Sequence, residues 1–191
     1  MSIEFYQHNA DEFFNSTVNV DMNNIYQRFT KNIKPNALIL DAGCGSGRDS
    51  KAFLEMNYRV DAFDASSELV MLATRYTGLE VRLAVFNDIN EREKYDAIWC
   101  CASLLHIPEV DLPKILKKLA TALKNKGTWY ASFKCGDSQR ESEGRLFTDM
   151  NEERLNKLIA DVPFIDIQST WLTEDNRPDR QEKWLNVILS K

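Results

Sequence analysis

The chain has 191 residues, of which 43% are hydrophobic and 28% are charged, a length and balance typical of one folded globular domain. Its 24 Lys and Arg against 29 Asp and Glu give a net charge of −5. This charge disfavours sequence-independent binding to nucleic acid, which requires a basic face. No apolar run approaches the roughly 20 residues that span a bilayer, and the first residues lack the pattern of a signal peptide.

The four cysteines indicate buried thiols rather than disulfides or zinc ligands. None belongs to a Cys-x-x-Cys pair, and Cys100 and Cys101 are adjacent within an apolar run. This usage is typical of a protein in the reducing cytoplasm. We therefore expect a cytoplasmic protein that has no metal site and does not act at a membrane.

The predicted elements begin with a helical cap over residues 1–34, which carries apolar side chains in 4–14 and, at helical spacing, in 22–29. Short apolar runs then alternate with amphipathic helices, which indicates a parallel sheet built from right-handed β-α-β units. The last two runs flank a polar loop without helical period, which predicts an antiparallel hairpin. Strands are predicted at 37–42, 58–63, 81–86, 96–102, 127–134, 164–172 and 183–190, and helices at 48–56, 66–76, 109–123 and 151–160.

The predicted fold class is therefore α/β, a doubly wound, Rossmann-like domain over residues 35–191. Its mostly parallel sheet has seven strands and ends in the antiparallel C-terminal hairpin, and the N-terminal helical cap precedes it. No repeat, low-complexity tract or linker interrupts residues 35–191.

A glycine turn after the first strand is the most informative segment. Gly43, Gly45 and Gly47 alternate with other residues, so the backbone can turn tightly and a ligand can approach it closely. A dinucleotide site would need its third glycine at position 48, which is Arg48. An acid in this turn, Asp41, suits a positively charged ligand better than a pyrophosphate, and this favours a cationic nucleoside.

The segment 41–47, DAGCGSG, resembles the glycine-rich motif of class I S-adenosylmethionine-dependent methyltransferases. That family is built on a seven-stranded sheet whose last strand is antiparallel, which agrees with the hairpin predicted above. The resemblance extends from about residue 37 to the end of the chain. It implies S-adenosyl-L-methionine as the cofactor.

The resemblance also implies roles for acids after successive strands. Asp64 matches the acid that accepts both ribose hydroxyls, and Asp88 matches the acid that takes the adenine amino group, with Ile89 packing on the ring. A lone Asp after a strand is more often a cap or turn residue, but three after successive strands favour binding. The cofactor-binding residues expected from the resemblance are Asp41, Gly43, Gly45, Gly47, Asp64, Ala65, Asp88, Ile89 and Ser103.

The segment after the fourth strand limits the classes of molecule that could accept the methyl group. It lacks the Asp/Asn-Pro-Pro-Tyr/Phe sequence of DNA amino-methylating enzymes and the Pro-Cys nucleophile of cytosine methylation. Leu-Leu-His-Ile at 104–107 is similar to the segment of small-molecule methyltransferases that covers the methionine end of the cofactor. His106 is the candidate general base because imidazole titrates near neutrality, and a wall or helix-cap histidine is the alternative.

The polar loop at 132–147 and the C-terminal hairpin supply candidate acceptor-binding residues. The loop is long for its position and carries several bases, and long loops in compact domains are often functional. Cations beside an aromatic ring suit an anionic, partly planar acceptor. Acidic residues alternate with these bases in the sequence, however, and this favours a solvated surface of mixed charge. The candidate acceptor-binding residues are Tyr6, Arg140, Arg145 and Trp171, with Lys134, Arg177 and Arg180 as neighbouring bases.

We therefore predict an enzyme that transfers a methyl group from S-adenosylmethionine to a small-molecule acceptor by in-line displacement. Methyl transfer depends on the positioning of the reactants and on the exclusion of water more than on a catalytic dyad, because the cofactor supplies the difficult chemistry. Two alternatives stay open: a methyltransferase acting on RNA or protein, and a non-catalytic protein that binds S-adenosylmethionine.

Overall fold

A computed structural model describes residues 2–177 and 181–191 of the chain. Short buried runs form the strands, and these run in parallel where a helix connects them. Within the described residues the strands are β1 (Leu38–Ala42), β2 (Arg59–Asp64), β3 (Arg82–Leu83), β4 (Tyr95–Cys100), β5 (Leu123–Lys134), β6 (Gln139–Ser142), β7 (Arg145–Thr148), β8 (Asp166–Glu174) and β9 (Lys183–Ser190).

The helices alternate with the strands as the apolar periodicity predicts. Two begin at side-chain caps, since Ser66 accepts from the N–H of Leu69 and Asn151 from that of Arg154. No helix in the described part of the chain has the length and apolar character needed to cross a membrane. The helices are α1 (Ser2–His8), α2 (Ala10–Thr17), α3 (Asn23–Thr30), α4 (Arg48–Glu55), α5 (Ser67–Thr77), α6 (Leu112–Ala122) and α7 (Glu152–Ala160).

Seven strands form one sheet in the order β3-β2-β1-β4-β5-β9-β8. Strand β1 pairs in parallel with β2 and β4, and β4 pairs in parallel with β5. Strand β9 is antiparallel to both β5 and β8. The predicted α/β class, the seven-stranded mostly parallel sheet and the antiparallel C-terminal hairpin are confirmed.

Two predicted segments differ from the structure. The third strand, predicted over 81–86, is limited to Arg82–Leu83 because it lies at the edge of the sheet with Leu83 exposed. The predicted polar loop at 132–147 instead completes β5 and forms the β6–β7 hairpin. Glu143 and Gly144 both have positive φ angles, 52° and 73°, which is the conformation of a two-residue hairpin turn.

An aromatic cluster on one face of the sheet includes helix α3. Phe29 is 1% exposed and packs on the rings of Phe53, Trp99 and Tyr130, the last two stacked at 4.0 Å between centroids. Helix α1, by contrast, has no buried residue. The α3 segment therefore belongs to the core, and the predicted boundary between cap and domain at residue 34 stays a prediction.

Removing the Phe29 ring tests this packing. We expect Phe29→Ala to lower the free energy of unfolding by about 3–5 kcal/mol, because it leaves a cavity among aromatic rings. Urea denaturation measures the change. The matched control is Phe164→Ala, where the ring is 82% exposed and the expected change is within about 0.5 kcal/mol. Equal losses in both variants would contradict the placement of α3.

Candidate active site

A cavity of about 540 Å³ opens where the parallel strands β1, β2, β4 and β5 end. This is the edge at which open α/β sheets bind ligands, and the volume is that of a small-molecule site. The glycine turn forms its floor, helices α1 and α2 cover it, and the short turn Leu104–His106 and the β6–β7 hairpin form one wall.

The glycines of the turn are needed for two different reasons. All three have left-handed backbones, with φ of 76° at Gly43, 55° at Gly45 and 76° at Gly47. Gly43 and Gly45 line the cavity, and a Cβ on Gly43 would lie only 2.7 Å from Cβ of Ser103. Gly47 faces away from the cavity, where a Cβ would meet Thr77 at 2.9 Å, so it is required for helix packing.

Asp64 is held at the cavity by the backbone. Its Oδ2 accepts a hydrogen bond from the N–H of Gly45 at 2.8 Å, and Oδ1 accepts one from the N–H of Ser66 at 2.9 Å. Burial raises the pKa of Asp64, and these backbone donors oppose the rise. The carboxylate and the adjacent Ala65 both line the cavity, so Asp64 presents fixed acceptor oxygens to a ligand.

Asp41 lies behind the turn and does not line the cavity. It is 2% exposed and accepts a hydrogen bond from Oγ of Ser50 at 2.6 Å. The acid that reaches the cavity from this region is Asp49, which the sequence analysis missed. Asp41 itself therefore does not face a ligand in the cavity, because its side chain points into the protein.

Asp49 is the centre of a buried polar cluster. It accepts from the Tyr26 hydroxyl at 2.5 Å, from Nε1 of Trp99 at 2.8 Å and from Nε of Arg48 at 2.6 Å. Burial alone would raise the pKa of Asp49, but Arg48 and the other donors lower it below its usual value. The pair is thus ionised, and it fixes the start of α4 against α3 and β4.

Asp88, the third acid predicted to bind the cofactor, also lies outside the cavity. Asp88 is exposed and accepts a hydrogen bond from the N–H of Val85 at 2.9 Å, which closes the short turn Phe86–Asp88. Ile89 is buried in the core. Neither lines the cavity, whereas Val85 and Phe86 do, because β3 ends early and turns the later residues away.

His106 lies at the cavity wall between two partners. Nε2 is 2.8 Å from the Tyr6 hydroxyl, and Nδ1 is 2.7 Å from the carbonyl oxygen of Leu146. Burial, with a smaller contribution from the nearby Arg145 and Lys134, lowers the pKa of His106 to about 4. The imidazole is therefore neutral at pH 7.

Two of the four candidate acceptor-binding residues line the cavity and two do not. Tyr6 and Arg145 line the cavity, and the Arg145 guanidinium lies 4.1 Å from the centre of the Phe5 ring. Arg140 binds Asp149 instead, with Nε 2.5 Å from Oδ2. Trp171 also lies outside the cavity, with the Arg28 guanidinium 4.8 Å above its ring.

Several other cavity residues come from segments without a sequence motif. The β6–β7 hairpin contributes Phe147, and α2 contributes Phe13. The only sequence signal for the hairpin wall is the Glu143-Gly144 pair between alternating residues. Of the predicted neighbouring bases, Lys134 and Arg177 line the cavity, and Arg180 lies outside the described residues.

The comparisons agree on one class of protein. Residues 39–127 match the family model of a methyltransferase domain. The ubiquinone biosynthesis O-methyltransferase of Xanthomonas campestris pv. campestris is 31% identical in an alignment of 105 residues that covers 51% of this chain and 43% of that protein. The chain spans less than half of the length of the curated relatives that it matches.

The solved structures cover the whole fold. The 1,6-didemethyltoxoflavin-N1-methyltransferase of Burkholderia thailandensis, determined with S-adenosylhomocysteine, has a TM-score of 0.79 at 22% identity, over 98% of this chain and 84% of that one. The cyclase SpnF has a TM-score of 0.74 at 14% identity, over 99% of this chain and 94% of that one.

The sheet order, the cavity at the strand ends and the matched domain define a methyltransferase fold of class I. Residues 39–127 match a methyltransferase domain, and the chain has the fold of class I S-adenosylmethionine-dependent methyltransferases, as the resemblance drawn from the glycine turn implies.

The buried carboxyl of Asp41 gives a pH-dependent stability. Burial, with the nearby Asp49, raises the pKa of Asp41 from 3.8 to about 8. A raised native pKa means that the unfolded chain releases this proton first, so native stability is lost as pH rises from about 4 to about 8. We expect Asp41→Asn, which preserves an acceptor for Ser50, to gain stability over the native protein across that window. Urea unfolding at several pH values measures it, and a difference that does not grow with pH would contradict the burial of Asp41.

Proposed function

We propose that this chain transfers a methyl group from S-adenosylmethionine to a small-molecule acceptor. The observation that carries the proposal is the backbone-held carboxylate of Asp64 beside the open glycine turn. Both lie at the floor of a 540 Å³ cavity. A carboxylate in this position supports binding of a ribose, because it offers acceptor oxygens in a fixed place.

The residues present fit such a cofactor. Gly43 and Gly45 leave backbone open to the cavity, and a Cβ on Gly45 would come within 3.0 Å of the Phe13 ring. Oγ of Ser103 is buried and has no hydrogen-bond partner among the described residues. Buried polar atoms usually have partners, so an orphaned hydroxyl on the cavity wall supports a bound polar ligand.

The charge of the cavity also fits a cationic cofactor. Of the described residues that line it, seven are Asp or Glu and four are Lys or Arg. Each oxygen of Asp64 retains a further lone pair after accepting its backbone hydrogen bond. A sulfonium nucleoside would therefore find a net negative environment, whereas a pyrophosphate would be repelled.

When bound, the cofactor supplies an electrophilic methyl group on a sulfonium sulfur. Asp64 would hold the ribose hydroxyls, the backbone at Gly43 and Gly45 would lie against the cofactor, and Ser103 would gain a partner. Helices α1 and α2 lie over the cavity, and Tyr6 holds His106 in place at the wall. Orientation of this kind accounts for roughly 7–11 kcal/mol of a barrier.

A small molecule is the acceptor that the cavity supports best. Helix α1 crosses it and bonds both walls, since Gln7 donates to Ser67 and Ser2 accepts from the N–H of Leu146. An acceptor must therefore fit beneath a helix, which disfavours RNA or a folded protein. A cytoplasmic location is part of this proposal and is supported by the four free cysteines of the described chain.

Cofactor binding is the first test. We expect S-adenosylhomocysteine to bind in the micromolar range or tighter in isothermal titration. Asp64→Ala should weaken it about tenfold or more, because a charge-assisted hydrogen bond contributes about 1.5–3 kcal/mol. The matched control is Asp88→Ala, whose carboxylate lies outside the cavity, and its affinity should stay within about twofold of the native value.

No heat of binding with the native protein would overturn the proposal. An equal loss in Asp64→Ala and Asp88→Ala would instead overturn the placement of the two acids.

Methyl transfer is the second test, because the cyclase SpnF shares this fold and fold alone does not define a reaction. We expect labelled methyl from S-adenosylmethionine to appear in the small-molecule fraction of a cell extract. Label in the RNA or protein fraction would contradict a small-molecule acceptor. Cofactor binding without label in any fraction would favour the non-catalytic alternative.

A further inference from the structure

A hydrogen-bond chain of fixed direction joins three distant segments at the cavity wall. It runs from Tyr6 on α1 through His106 to the carbonyl oxygen of Leu146 on β7, with lengths of 2.8 and 2.7 Å. A carbonyl oxygen can only accept, so Nδ1 of His106 carries the proton. Nε2 of the neutral ring then holds only a lone pair, and the Tyr6 hydroxyl must donate to it.

This direction determines what Tyr6 offers to the cavity. Its only proton points toward His106, and Arg145 also hydrogen-bonds to its oxygen, so one lone pair of the oxygen remains for a ligand. Tyr6 lines the cavity and packs edge-on against the rings of Phe5, Phe13 and His106, which fixes the ring. The complementary group on a ligand is a donor, an O–H or N–H.

The protonation state of the ligand group selects between these donors. Arg145 on β7 and Lys134 on β5 are the cations that act on His106, and Arg145 also lies close enough to Tyr6 to oppose the effect of burial on its pKa. Asp64 and Arg177 act on Tyr6 more weakly. Arg145 is paired with Glu143 and Lys134 with Glu182, so these charges alone do not exclude a cation. An alkyl amine is protonated at neutral pH and has no lone pair to attack a methyl carbon, whereas a neutral hydroxyl has one.

We propose that Tyr6 accepts the proton of a conjugated hydroxyl, a phenol or enol, and relays it to His106, so that this acceptor oxygen is methylated. This inference rests on the proposed methyltransferase function and names the acceptor class of the same site. Tyr6 is the group that touches the acceptor. His106 acts through Tyr6 and is a positioning residue.

The step balances within the cavity. The acceptor oxygen forms its bond to the methyl carbon as the carbon–sulfur bond breaks, and that electron pair stays on sulfur. The acceptor proton passes to the Tyr6 oxygen while the Tyr6 proton passes to Nε2 of His106. A hydroxyl that is being methylated is far more acidic than an imidazolium, so even a weakly basic His106 can receive its proton. The proton then leaves to solvent, because burial disfavours a lasting imidazolium at His106.

The direction of the hydrogen bonds from Tyr6 through His106 to Leu146 can be tested without measuring catalysis. In ¹⁵N-NMR spectra of the native protein at pH 7, we expect His106 in the Nδ1–H tautomer, with an unprotonated Nε2. Free histidine in water favours the other tautomer, so the result is informative. An Nε2–H tautomer or a charged ring for His106 would overturn the proposal.

The acceptor class is tested with two probes that differ by one hydroxyl. Binding of 4-nitrophenol and of its methyl ether is measured on protein saturated with S-adenosylhomocysteine, at a pH where the phenol is neutral. We expect the phenol to bind at least about fivefold more tightly than the ether, because one additional hydrogen bond contributes about that difference in affinity. Tyr6→Phe should bring this ratio close to one.

The matched control is Tyr95→Phe, which removes a buried hydroxyl at the opposite end of β4 and should leave the ratio unchanged. A phenol that binds no better than its ether, in protein that binds S-adenosylhomocysteine, would overturn the acceptor class alone. Protein that fails to bind S-adenosylhomocysteine would overturn the proposed function itself.

Discussion

The hydrogen bond from the N–H of Gly45 to the carboxylate of Asp64 is the constraint on which the site depends. It joins the turn after β1 to the end of β2, and the Ser66 N–H holds the same carboxylate from the start of α5. One side chain therefore fixes the floor of the cavity and also presents acceptor oxygens to a ligand. The turn that carries this N–H has left-handed backbones at Gly43 and Gly45, and a side chain on Gly43 would also collide with Ser103.

The strength of a buried apolar run decided how well each strand could be predicted. Strand β1 lies at the sheet centre and reads as an almost continuous apolar segment, so its place and the turn after it follow from the sequence. Strand β3 lies at the edge of the sheet with an exposed Leu83. The apolar run that predicts this strand is longer than the segment that pairs with β2. The β6–β7 hairpin is polar throughout its first strand, and only the Glu143-Gly144 turn marks it.

The direction of individual side chains was less predictable than the elements that carry them. Asp41, Asp64 and Asp88 all follow or end strands, yet only Asp64 lines the cavity. Asp41 is turned into the core by the pleat of β1, and Asp88 closes a turn because β3 is only two residues long. His106 and Tyr6 were separate candidates in the sequence, and their direct contact across 100 residues depends on how α1 lies over the strand ends.

The central claim is that the Asp64 carboxylate and the glycine turn form a cofactor site. A crystal structure with S-adenosylhomocysteine bound tests it most directly. The account predicts ribose hydroxyls on Asp64, a hydrogen-bond partner for Ser103, and no contact with Asp88. A nucleoside bound elsewhere, or one held in this cavity without Asp64, would contradict it.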